Sequence, residues 1–142
     1  MPRGPRMVSL PVMKSILLVE DEDMLRGLIR ELLEIKGYAV LEASQGVEAL
    51  ERMRSADRPV DLVLTDVVMP HMSGSELVEN LKQDFPDLKV VFMSGYTGSN
   101  NAAVHKNLGM PGVAFLQKPF RLNALIGVVE GLLGGDLRKE IA

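Results

Sequence analysis

Four short apolar runs, at residues 16–19, 62–64, 90–93 and 113–116, punctuate a chain whose other hydrophobic residues recur every three or four positions. Runs this short, bounded by polar residues, have the pattern of strands buried on both faces. The segments between them carry a helical period. Leu25, Leu28, Leu32 and Ile35 follow the first run, and Gly37 supplies a stop at the C′ position. A strand near 38–41 comes next, and Ser44 is then placed to N-cap a short helix bearing Val47, Leu50 and Met53, which ends before Pro59. Ser73 and Gly74 open a third helix with Leu77, Val78 and Leu81 on one face, closed by Pro86. A fourth and fainter helix is expected around 101–108, framed by Gly95, Gly98, Gly109 and Gly112, a composition that favours local mobility. The last helix covers about 122–133, with Leu122, Leu125, Val129 and Leu132 toward the sheet and Gly134 and Gly135 at its end.

Strands alternating with helices of this length imply right-handed crossovers and a doubly wound parallel sheet covered on both faces. In such a sheet the ligand crevice lies at the carboxyl ends of the strands. Glu20 and Asp21 follow the first run, Asp66 the second, Ser94 the third and Lys118 the fourth. Carboxylates, a hydroxyl and an ammonium in one crevice suit a divalent cation and a phosphoryl group. Taken singly, each has a plainer reading. The acids from Glu20 to Asp23 fit a solvated helix start, Asp66 a loop cap, Ser94-Gly95 a turn, and Lys118-Pro119 a solvated lysine. Their joint occurrence at successive strand ends favours one shared site.

Composition narrows the class. The 142 residues, 46% hydrophobic, suffice for one domain, and a net charge of -3 gives no electrostatic footprint for nucleic acid or an anionic membrane. There is no cysteine, hence neither a disulfide framework nor a thiolate metal site, which suits a reducing compartment. No apolar stretch approaches a membrane span. Residues 1–13, with Pro2, Gly4, Pro5, Pro11, Arg3 and Arg6, read as a flexible leader or linker remnant, residues 14–133 as the folded domain and 134–142 as a C-terminal tail. His71 and His105 have no ligand spacing, and the nine methionines read as core filler.

The segments Ile16-Leu17-Leu18-Val19-Glu20-Asp21, Asp61-Leu62-Val63-Leu64-Thr65-Asp66-Val67-Val68-Met69-Pro70, Met93-Ser94-Gly95 and Phe115-Leu116-Gln117-Lys118-Pro119-Phe120 resemble the receiver (response-regulator) domain of two-component signalling. The wording around Met93 to Thr97 and Gly112 to Pro119 is similar to receivers at the C-terminus of hybrid sensor histidine kinases. The resemblance implies a five-stranded sheet of flavodoxin-like order and a phosphoacceptor at Asp66, charged from a phosphohistidine on a histidine kinase or histidine phosphotransfer domain. It implies that Glu20, Asp21, Asp66 and the backbone carbonyl of Val68 hold Mg2+, for which Mn2+ can substitute. It implies further that Lys118 and Ser94 contact phosphoryl oxygens, and that Ser94 and Phe115 act as the switch pair. Two positions depart from the commonest pattern: Glu20 stands where aspartate is frequent, and Ser94 where threonine is. Phe115 brings no hydroxyl to the switch position, and Val68 cannot position a hydrolytic water.

Two rivals use the same kinds of group. A haloacid-dehalogenase-like phosphatase would employ Asp21 as nucleophile within Asp21-Glu22-Asp23, but Met24 follows the motif, no late acidic pair comes after Lys118, and Asp66 is left idle. A pseudo-receiver that only binds proteins is at odds with the intact acidic set. The expectation is therefore a cytoplasmic phosphorelay receiver, or one tethered through a membrane-bound parent kinase. It is a monomer or weak dimer that signals through its surface and is not an enzyme by itself beyond slow self-dephosphorylation.

Overall fold

The structure, a computed structural model, describes residues 13–95 and 111–133. Its elements alternate in chain order: β1 (Ser15–Val19), α1 (Asp23–Ile35), β2 (Ala39–Ala43), α2 (Gly46–Ser55), β3 (Leu62–Asp66), α3 (Gly74–Asp84), β4 (Lys89–Ser94), β5 (Val113–Gln117) and α4 (Leu122–Leu133). The strands form one parallel sheet of order β2-β1-β3-β4-β5. This is the doubly wound arrangement, with β1 and β3 adjacent at the point where the strand order reverses.

The period-two alternation of strand side chains splits the core between the two faces. Leu17, Val19, Val63, Val90 and Phe92 meet Ala49, Met53, Leu77, Val78 and Leu81 of α2 and α3 on one side. Ile16, Leu18, Leu62, Leu64, Val91 and Met93 meet Ile29, Leu33, Leu125, Ile126 and Val129 of α1 and α4 on the other. β1 and β3 are buried along their whole length, which explains why they read as continuous apolar runs.

Several local expectations shift. β2 runs from Ala39 to Ala43, displaced toward the C-terminus from the predicted 38–41. In α1 the inward stripe is Leu25, Ile29, Leu32 and Leu33, while Leu28 and Ile35 are 50% and 79% exposed. The leucine spacing matches the period but not the phase, because Ile29 and Leu33 fill the space over β1. Ser44 does not cap α2; Gln45 occupies the N-cap without a side-chain bond, and Ser44 instead donates its N–H and hydroxyl to Glu48 Oε1 at 2.7 and 3.0 Å. Val47 of that helix is half exposed, and Ala49 and Met53 carry its buried face.

Other signals lie where expected. Gly37 adopts φ 99°, and its N–H and that of Tyr38 close the end of α1 on Glu34 and Leu33. Ser73 and Glu76 form a reciprocal capping box at the start of α3. Leu125 and Val129 of α4 are fully buried, joined by Ile126. The helix expected around 101–108, the leader up to residue 12 and the tail lie outside the described residues.

Candidate functional site

The sheet ends bring the five candidates to one crevice. A cleft of about 290 Å³ at the carboxyl edge is lined by Asp21, Asp66, Val68, Met93, Ser94, Gly95 and Lys118. Glu20 is absent from that lining because it is 1% exposed and buried under it. Oxygen atoms of Glu20, Asp21 and Asp66 still lie within 4.8 Å of one another. Asp23, the second acid of the phosphatase-like reading, stays outside this cluster and pairs with Arg26 at 2.8 Å. Val68 is 60% exposed at the rim.

Backbone bonds fix each side chain. Asp66 is the last residue of β3, and the next N–H, of Val67, donates to Met93 of β4 at 2.9 Å. Gly74 donates to the Val67 carbonyl at 2.8 Å, and its Cα comes so close to the Asp66 carbonyl that a Cβ there would collide with it. A glycine at the start of α3 is thus a condition for the site, whereas in the sequence it signals only a helix opening. Thr65 Oγ1 donates to the same Asp66 carbonyl at 3.0 Å. Lys118 N–H bonds the Ser94 carbonyl at 2.7 Å, tying β4 to the segment after β5. Ser94 is 5% exposed at the end of β4. Phe115 is half-buried and packs with the α2 and α3 side of the core.

Electrostatics make the crevice a coupled unit. Lys118 Nζ sits 2.9 Å from Glu20 Oε1 and 2.8 Å from Asp66 Oδ1. The resemblance implies a contact between this ammonium and a phosphoryl oxygen; in the structure it bridges two carboxylates, because burial of both demands a counter-charge. Burial pushes the Asp66 carboxyl up to about 7; Lys118 restrains the rise, and the neighbouring Glu20 charge adds to it. Glu20 is held below its ordinary value although burial opposes this, since Lys118 and the Glu22 N–H bond its carboxylate. Burial works against the Lys118 charge, but Asp66 and Glu20 raise its pKa.

Such a set of hard oxygens, one of them on exposed Asp21, fits a small divalent cation that keeps part of its water shell. Arg26, which the strand-end pattern does not single out, donates to the Glu20 carbonyl at 2.8 Å. Its only sequence signal is a basic residue one turn into α1, on the same face as Arg30. Beside the cleft, and sharing Gly95 and Lys118 with it, lies an apolar groove of about 410 Å³ lined by Leu25, Leu28, Pro119, Phe120 and Leu122. No helix among the described residues is long and apolar enough to cross a membrane.

Comparison with known proteins gives the same picture. Residues 16–130 match the response regulator receiver domain. The chain is 45% identical over 121 residues to the sensor kinase CckA of Brucella abortus (strain 2308), covering 84% of this chain but 12% of that protein. It is 38% identical over 122 residues to the response regulator receiver protein CpdR of the same organism, covering 85% of this chain and 98% of CpdR. Among solved structures, the receiver domain of the hybrid histidine kinase CckA superposes with a TM-score of 0.70 at 35% identity, covering 84% of this chain and 98% of that one. With its fold, its acidic crevice and these matches in agreement, the chain belongs to the response regulator receiver domain family.

Proposed function

We propose that Asp66 is the phosphoacceptor of a two-component phosphorelay and that residues 14–133 are the working unit. The observation that carries this reading is Asp66 itself: a buried carboxylate at the end of β3, bonded to Lys118 and grouped with Glu20 and Asp21. An oxygen of Asp66 attacks the phosphorus of a phosphohistidine; the P–O bond forms as the P–N bond breaks, and the electron pair stays on the departing imidazole nitrogen. Glu20, Asp21, Asp66 and the Val68 carbonyl are the groups that would hold Mg2+ or Mn2+, and the bound ion supplies charge neutralisation for the incoming phosphoryl oxygens. Lys118 exchanges one carboxylate contact for a phosphoryl oxygen, and Ser94 donates its hydroxyl to another. Val68 offers no polar group to orient a water, and self-dephosphorylation is at most slow, so the chain is not an enzyme in its own right. Phe115 follows Ser94 in the switch to the signalling surface.

The donor is a histidine kinase or a histidine phosphotransfer domain, and the apolar groove beside Lys118 gives its helices a place to dock near the acceptor. The cytoplasm, where such donors and Mg2+ are found, is the compartment. Phosphorylation with a small phosphodonor and Mg2+ tests the core of this. Intact-protein mass analysis should show one base-labile phosphoryl group on the wild type and none on Asp66→Asn; equal labelling of both would overturn the assignment.

A further inference from the structure

We propose that Arg26 is a positioning residue of the cation site, fixing the peptide that joins Glu20 to Asp21. The proposal rests on the reading of this crevice as a Mg2+ site. β1 ends at Val19, and the Glu20 N–H still pairs with Ala43 at 3.1 Å. The Glu20 carbonyl lies past the ladder, and Arg26 Nη1 takes it at 2.8 Å. That oxygen belongs to the planar unit that carries the Cα of Asp21, so its direction sets where Asp21 stands relative to Glu20. Asp21 is exposed, and its place therefore depends on its backbone.

The guanidinium is itself held at two further points. Nη2 meets Asp23 Oδ1 at 2.8 Å and Nε meets Glu42 Oε1 at 3.2 Å, while Arg30 Nε holds the other Glu42 oxygen at 3.1 Å. Three nitrogens thus bind acceptors on the end of β1, the first turn of α1 and β2, with the side chain only 18% exposed. Lysine, a single point charge, cannot reproduce that fork. Both carboxylate partners are substantially exposed, 84% and 36%, so as ion pairs they add little stability. What these pairs do is hold the guanidinium against the backbone carbonyl between Glu20 and Asp21.

Direct Mn2+ binding, read as loss of the free-ion electron paramagnetic resonance signal, with Mg2+ in competition, tests this on the wild type, Arg26→Ala, Arg26→Lys and Glu42→Gln. Both Arg26 variants should bind roughly tenfold more weakly and Glu42→Gln less weakly than that, as expected when the group orienting a ligand is removed. The Mg2+ concentration for half-maximal phosphorylation by a small donor should rise by a similar factor, with the maximal rate within about twofold. Folded Arg26 variants with wild-type affinity would overturn the proposal, as would failure of both variants to fold, which would make Arg26 a stability residue. A wild type that binds no Mn2+ would instead remove the metal site itself, and with it the underlying functional reading.

Discussion

Lys118 and Glu20, 98 positions apart in the chain, meet at 2.9 Å beside Asp66. The contact joins the segment after β5 to the end of β1, and the Lys118 ammonium favours the charged forms of Glu20 and Asp66 against their burial. Two buried carboxylates share the positive charge of one ammonium, so removing it leaves both without a counter-ion among the described residues. Lys118→Met should lower stability by about 2–4 kcal/mol in the absence of a divalent ion, and millimolar Mg2+ should restore part of it. Chemical denaturation with and without Mg2+ measures both effects.

The raised Asp66 value gives a pH dependence of definite sign. Its carboxyl titrates at about 7 in the fold against 3.8 ordinarily, so the folded state binds the extra proton and stability falls as pH rises between those values. Glu20, shifted downward, acts oppositely and only below its ordinary 4.5. The metal-free protein should therefore melt at a higher temperature at about pH 5.5 than at about pH 8. In Asp66→Asn that difference should largely vanish, as calorimetry at the two pH values will show.

On the proposed reading of the Glu20, Asp21 and Asp66 cluster as a Mg2+ site, Mg2+ should raise the melting temperature of the wild type, because an ion held by the native cluster and not by the unfolded chain stabilises the fold. Asp21→Asn should lose most of that rise while leaving the metal-free form as stable or more so, since it removes a negative charge from the cluster. A Mg2+ response equal to that of the wild type would take Asp21 out of the ligand set.

Gly74→Ala places a methyl group against the Asp66 carbonyl. The backbone has to move, at a cost of about 1–3 kcal/mol, and the movement displaces Asp66, the proposed phosphoacceptor. Phosphorylation by a small donor should slow roughly tenfold or more at a temperature where the variant is still folded by circular dichroism. A normal rate in the Gly74→Ala variant would show that the loop can yield without moving Asp66.

Leu28 is half exposed and lines the apolar groove beside Lys118. Leu28→Glu should leave labelling by a small phosphodonor unchanged and slow transfer from a phosphorylated histidine phosphotransfer domain by about tenfold or more, as loss of an apolar anchor in a docking surface does. Equal rates from the protein donor would place docking elsewhere.

Among the described residues, the amino-acid pattern by itself determined the order of the strands and helices, the parallel sheet and the acidic, hydroxyl and lysine positions at the strand ends. It could do so because strands buried on both faces are apolar throughout, and because a doubly wound sheet brings its strand ends together whatever the loops are. The Ser73 and Gly37 signals were legible for a more local reason: a cap and a left-handed stop act within a few residues. Only the tertiary structure decided the phase of α1, since whether Leu28 or Ile29 turns inward depends on the surface of β1 and α4 it meets. It alone decided that Lys118 is shared by Glu20 and Asp66, that Gly74 abuts the Asp66 carbonyl, and that Arg26 holds the carbonyl of Glu20. Each is a contact between groups whose side chains or backbones are brought together by packing, and separation along the chain carries no information about a hydrogen-bond distance of about 3 Å in space.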